Sequence, residues 1–348
     1  MTVACLIGRR PVLKIAAGVA ASGALGAGGW AIVDRDRNLF HLRRVRPLMH
    51  TSVAINVVAS DPKFARRAIE AAFNRMVLAI DILNRFDPRS ALSQLNREGW
   101  LANPPPAMRT VLERSLAVSA QTDGAFDVSV APVLDYFFSL DRPVSLSDDV
   151  RRAVSERDLL VDYKSIVLAE DYVRLLRPGM TLTLNGIGKG YVVDQGFAAL
   201  REAGVTDALI DAGGDLRLMA TANGKRFWNV GIVDPQHTDR VAAVIQLRNA
   251  AIATSGNYEV FFTADRSLFH IINPHTGYSP DNYSSVTIVS GEAMESDCMG
   301  VAAFSMELPR LKRVMAERGD EWLLFSWDGT TRWRSKNLPL ISGEARVV

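Results

Sequence analysis

Apolar and polar residues alternate over Thr51–Ala59 (TSVAINVVA), a β-rich pattern that predicts the first strand of the folded body. Asp61-Pro62 then predicts a helix start, with Asp as N-cap and Pro at the first helical position. From there Ala65, Ala68, Ile69, Ala72, Phe73, Met76, Val77, Ile80 and Leu83 recur at helical spacing, so a long amphipathic helix is expected, ended by Asp87-Pro88. A short helix around Ala91–Asn96 is expected to stop at Gly99, and another covers Ala107–Gln121. Beyond Asp158 the pattern changes to short β-rich runs: Ser165–Leu168, Val173–Leu176, Thr181–Leu184, Ala208–Ile210 and Leu216–Ala220. One strong helix interrupts them, from Lys189 to Ala203, closed by Gly204. Further strands are predicted at Trp228–Val233, Val241–Gln246, Ser285–Val289 and Leu323–Trp327. Strands grouped in hairpins with helices inserted predict an α+β fold with a mainly antiparallel sheet packed by helices.

Composition fits that picture. The chain has 348 residues, 48% hydrophobic and 22% charged, enough to bury a sizeable core. Residues 1–33 carry Arg9, Arg10 and Lys14 and no acid, so the formal net charge of +2 belongs to the N-terminus and the remainder stands at −1. A nearly neutral body has no electrostatic footprint for nucleic acid. The paired arginines precede an Ala/Gly-rich apolar stretch from Ile15 to about Val33, which reads as a twin-arginine-type export signal. The stretch also approaches the roughly 20 residues that span a bilayer, so anchoring through residues 15–33 is the alternative. Two segments follow: 1–33 as signal or anchor, and 45–340 as the working domain. With only Cys5 and Cys298, no disulfide framework is expected once a signal is removed.

Four turn-forming segments stand apart from the core pattern. Thr183 to Tyr191 (TLNGIGKGY) joins a predicted strand to the Lys189 helix, where glycines permit close backbone approach and a helix N-terminus favours an anion. Asp211-Ala212-Gly213-Gly214-Asp215 has the composition of a Gly-Gly hairpin. Ala253 to Tyr258 (ATSGNY) is either a further turn or a set of hydroxyls and amides offered to a ligand. Phe269 to Gly277 places an imidazole, His270, after an apolar run and before an Asn-Pro turn. Each alone is weak.

Their order and content together resemble the ApbE family of FAD:protein FMN transferases. The matching pieces are Met49-His50-Thr51 (Met-Gly-Thr in the family), Phe86 to Asn96, Gly124 to Val130, and Gly186 to Asp194. They continue with Asp211 to Asp215, Thr254-Ser255-Gly256, His270 to Gly277 and Ser296-Asp297. The resemblance implies an ApbE-like or T-fold-like α+β architecture in one compact catalytic unit. It implies transfer of FMN from FAD to a Ser or Thr hydroxyl of a target flavoprotein, with AMP leaving and Mg2+ assisting. His270 takes the place of the catalytic base. Flavin-nucleotide contacts fall at Met49, Ala125, Phe126, Asp127, Thr183, Lys189, Thr254, Ser255, Gly256 and Ile271, and metal contacts at the Gly186 carbonyl and the Asp297 carboxylate.

Three positions depart from the family. Thr183 stands where the family carries Asp, His50 replaces the Gly of Met-Gly-Thr, and Val301 occupies the place of a metal-binding Thr one turn after Asp297. The signal and these departures are similar to the periplasmic branch of the family that serves nitrous oxide reductase maturation. Its client would be a membrane or periplasmic flavoprotein. Two other readings stay open: a non-catalytic FAD-binding protein, and an FAD pyrophosphatase with water as acceptor.

Overall fold

The computed structural model describes residues 5–6, 29–34, 39–220 and 226–348, with side chains from residue 39 onward. The paired arginines and most of the apolar stretch expected as an export signal lie outside the described residues. Among those described, no helix is long and apolar enough to cross a membrane.

A ten-stranded sheet runs through the centre. From edge to edge it comprises Arg346–Val347, Arg332–Arg334, Glu321–Ser326, Tyr283–Ser290, Ala250–Gly256, Asp215–Ala220, Asp207–Ala212, Thr51–Ala59, Leu39–Leu48 and Gly29–Asp34. All neighbours are antiparallel except the first two. One face carries the helices Pro62–Leu83, Gly188–Glu202 and Ala293–Phe304 over a core that includes Ile210, Phe73, Met76, Val193 and Met299. On the other face Trp228–Val233 and Val241–Leu247 form a second sheet, burying Val230, Ile232 and Ile245 against Leu209, Leu218 and Phe325. Successive residues of a strand point to opposite faces. Covered on both faces, Asp207–Ala212 is therefore buried at five of its six positions.

The expected elements form with small shifts at their ends. Asp61 caps the Pro62–Leu83 helix by accepting from Lys63 N, and Ser90 does the same for Ala91–Glu98, which ends on Gly99 in the left-handed region. At Gly196 a β-carbon would stand 2.8 Å from Met76, so glycine there lets the Gly188–Glu202 helix cross Pro62–Leu83 closely. Two expectations are corrected. Thr181–Leu184 is an extended loop with no strand partner among the described residues, because the Asn96 side chain takes both Leu182 backbone groups, at 2.7 and 2.9 Å. Thr254-Ser255-Gly256 is no turn but the end of the Ala250–Gly256 strand, paired with Ser285–Thr287.

Helices Ala131–Ser139 and Asp148–Asp158 form a satellite layer with a core of their own, in which Val133, Phe137 and Val154 pack with Phe262, Leu268 and Ile272. This layer supports the segment bearing His270 from below.

Candidate functional site

The two inner helices start at one place and cap each other. Gly190 N, in the first turn of Gly188–Glu202, donates to Asp297 Oδ2 at 2.9 Å. In return Asp194 accepts from Ala293 N and Met294 N, both at 2.9 Å, at the start of Ala293–Phe304. Arg217 Nη1, 2.5 Å from Asp194 Oδ1, balances that acid. A β-carbon at Gly190 would meet the Ala293 carbonyl at 2.3 Å, so only glycine admits the crossing. This arrangement narrows the anion site expected at the helix start. Ile187 N and Gly188 N bond to the Leu184 carbonyl, and Gly190 N is taken by Asp297. Among the described residues, the Lys189 N–H is the one donor of the first turn left for a ligand.

Lys189 supplies the charge instead. Its Nζ lies 3.2 Å from Asp215 Oδ2, an ion pair without hydrogen-bond alignment, and the Asp215 side chain is 3% exposed. Burial works against the ammonium, but Asp215 and then Asp297 more than offset it and push Lys189 up to about 12. The carboxyls pay in turn. Burial, the repulsion of Asp215 and incomplete compensation by Lys189 raise Asp297 well above the usual carboxylate range. Burial also raises Asp211, to about 6, against the Gly214 N–H that donates to it at 3.2 Å.

His270 stands in the field of the same lysine. Its backbone N–H donates to the Val260 carbonyl at 3.0 Å, and its ring Nδ1 lies 3.1 Å from that oxygen. With Nδ1 as the donor, Nε2 is the free basic nitrogen. Burial, helped by the Lys189 charge, holds the imidazole below its ordinary value despite the opposing carbonyl. The ring is therefore neutral at neutral pH. The Asn273–Gly277 turn that follows is closed by Gly277 N to Asn273 O at 3.0 Å.

Most of the remaining expected residues fall into two groups. Gly186, Thr183 and the Ala125–Asp127 segment are adjacent: Thr183 N donates to Val128 O at 2.8 Å, and a β-carbon on Gly186 would lie 3.5 Å from Phe126. On the far side Ser255 Oγ lies 2.9 Å from where a β-carbon on Gly300 would be, joining the Thr254–Gly256 strand end to the Asp297 helix. Thr254 Oγ1 bonds Thr287 Oγ1 at 2.9 Å. Several side chains are already committed. Ala125, Phe126 and Ile271 are buried in the core. Asp127 accepts from Ser129 N, Ser129 Oγ and Tyr163 N at 2.6–2.8 Å. These four residues offer a ligand backbone and shape more than free side chains.

Met49 occupies a hairpin turn between Leu39–Leu48 and Thr51–Ala59. Thr51 beside it touches Gly213 of the Asp211–Asp215 hairpin, where a β-carbon would meet Thr51 Oγ1 at 2.4 Å. The two turns therefore stand together at one end of the sheet, beside Lys189. Sequence reasoning named no site role for Phe86, whose ring is 66% exposed at this same end and meets His50 edge-on at 5.8 Å. The signal available in the sequence was a large aromatic residue at the start of the matching Phe86 to Asn96 piece. Asp215 was missed as a partner of Lys189 because 26 positions, from 189 to 215, separate the two along the chain.

A model of the ApbE family matches residues 49–324. The chain is similar to the FAD:protein FMN transferase of Treponema pallidum, 28% identical over 289 residues that cover 75% of this chain and 79% of that one. The enzyme of the same name from Escherichia coli K12 is 26% identical over 247 residues, covering 68% and 70%. The crystal structure of the ApbE protein from Thermotoga maritima superposes with a TM-score of 0.75 at 28% identity, over 85% of this chain and 97% of that one. The flavin transferase ApbE from Vibrio cholerae shares the fold, with a TM-score of 0.72 at 22% identity over 89% and 98%. The chain belongs to the ApbE family.

Proposed function

We propose that this protein is an FAD:protein FMN transferase. It moves FMN from FAD to a Ser or Thr hydroxyl of a membrane or periplasmic flavoprotein and releases AMP. The observation that carries the reading is the meeting of Lys189, Asp215, Asp297 and a neutral His270 in one electrostatic cluster. Phosphoryl transfer between oxygens asks the protein for positioning and charge neutralisation, with a base for the incoming hydroxyl.

The acceptor hydroxyl oxygen forms a bond to the FMN phosphorus while the bond from that phosphorus to the AMP oxygen breaks. His270 Nε2 takes the hydroxyl proton. The Lys189 ammonium and its backbone N–H face the pyrophosphate oxygens, with Asp215 holding the ammonium in place. The open face of Phe86 stacks on the flavin ring.

The donor set fits Mg2+, though sparsely. One Asp297 oxygen is bound to Gly190 N, which leaves the other for a cation, and the repulsion between Asp297 and Asp215 is the imbalance a cation would relieve. Among the described residues no cluster of three His, Cys, Asp or Glu side chains is poised for a metal, and Val301 brings a methyl where the family has a hydroxyl. Mg2+ tolerates this, because it commonly keeps several waters and takes phosphate oxygens beside one or two carboxylates. Asp297 and the Gly186 carbonyl would hold it, and when bound it would neutralise pyrophosphate charge.

The paired Arg9 and Arg10 before a weakly apolar stretch support export, which puts the reaction outside the cytoplasm. Changing both to Lys should then retain the protein in the cytoplasmic fraction; normal export of the double variant would contradict it. For the reaction itself, purified full-length protein is incubated with FAD, Mg2+ and membrane or periplasmic extract. Covalent flavin fluorescence in a denaturing gel, with AMP released, is expected. AMP and free FMN without a fluorescent band would indicate water as the acceptor. FAD bound with no AMP released would indicate a binding protein.

A further inference from the structure

Met49 and His50 are consecutive non-glycine residues in the left-handed region, with φ of 51° and 57°. They form the two-residue connection between strands that pair Leu48 with Thr51, a turn whose central positions favour Gly or Asn. A side chain kept at such a position against its backbone preference points to a use for that side chain. The His50 ring is exposed and meets the Phe86 ring edge-on, 5.8 Å between centroids with planes at 88°. Phe86 is otherwise fixed at its backbone, where its N–H donates to Asn84 Oδ1 at 3.0 Å, and by the Arg85 guanidinium over its ring at 5.5 Å. Without His50 a residue 66% exposed would keep Arg85 as its ring contact and would turn more freely about its side-chain bonds.

We infer that His50 is a positioning residue, which holds the Phe86 ring edge-on so that its open face stacks on the planar ring of the bound flavin. The inference rests on the FAD reading above. It assigns to His50 a gain in ligand binding in exchange for a strained turn. Its signature is therefore two effects of opposite sign on one substitution. A purely structural role would lower stability and affinity together.

The test compares wild type, His50→Gly, His50→Asn, Phe86→Ala and the His50→Gly/Phe86→Ala double variant by FAD titration calorimetry and thermal melting. Glycine relieves the turn, and asparagine tolerates it without an imidazole ring. Both single His50 variants should melt at or above the wild-type temperature and bind FAD about 3–10-fold more weakly, the scale of one aromatic pair. In the Phe86→Ala background His50→Gly should have no further effect on affinity. Wild type that binds FAD, with His50→Gly binding equally well, overturns this inference alone. So do additive effects of the two substitutions. Wild type that binds no FAD overturns the function reading and this inference with it.

Discussion

The Cγ2 methyl of Val301 lies 2.9 Å from the point where a β-carbon on Gly186 would stand. The residue that replaces the family's threonine thus packs directly on the loop whose carbonyl is proposed to face the metal. Val301→Thr changes one methyl to a hydroxyl of the same size and should lower the Mg2+ concentration for half-maximal transfer. Gly186→Ala drives a methyl into Val301, with an overpacking cost of about 1–3 kcal/mol, and should lower the melting temperature and suppress transfer. Single-turnover rates across a Mg2+ titration read both. An unchanged Mg2+ requirement in Val301→Thr would mean that another group supplies the missing ligand.

His270→Ala should leave FAD affinity nearly intact and reduce the transfer rate by about 10²–10⁴-fold, the usual share of a general base. The pH profile carries a second expectation. Burial and the Lys189 charge hold the His270 imidazole below its ordinary value, and the base works only when neutral. The rate should therefore rise with pH and reach its plateau on the acid side of an ordinary histidine midpoint. An acid limb at or above that midpoint would place the titrating base elsewhere.

Asp211 gives a stability test free of catalysis. Burial raises its carboxyl from 3.8 in the unfolded chain to about 6 in the folded one. The folded state binds the extra proton between those values, so stability attached to this group is present below pH 3.8 and is lost as pH rises through about 6. Asp211→Asn keeps an acceptor for Gly214 N and cannot ionise. Its melting temperature relative to wild type should climb across that window and stay higher at neutral pH. A difference that does not change with pH would contradict the costly ionisation of Asp211.

The legible parts of the fold were those with a local signature. Pro62–Leu83 announced itself through the Asp61 cap and one apolar stripe, and the Gly188–Glu202 helix through its glycine-rich start and Gly204. Ala293–Phe304 did not, because Ser296 through Gly300 are buried consecutively and a helix enclosed on every side has no polar face to mark its period. The Thr181–Leu184 loop read as a strand because its composition is β-like. Its actual partner, the Asn96 amide, is a side chain 86 positions away from Leu182. The site followed the same rule. Motif order pointed to Lys189, His270 and Asp297 as candidates, whereas the Lys189–Asp215 pair, the reciprocal helix capping by Asp194 and Asp297, and the internal commitment of Asp127 arise only when distant segments meet.

In the proposed reaction one chain cleaves FAD and conserves the FMN half on a protein hydroxyl. The most direct measurement is intact-mass analysis of an acceptor flavoprotein recovered from cells that lack this gene, after reaction with FAD, Mg2+ and purified protein. AMP is quantified in the same reaction, with His270→Ala run beside the wild type. The acceptor is expected to gain the mass of FMN less one water, with one AMP released per FMN attached, and His270→Ala is expected to slow both equally. An acceptor of unchanged mass while FAD is consumed, or AMP released in excess of attached FMN at every time point, would contradict it.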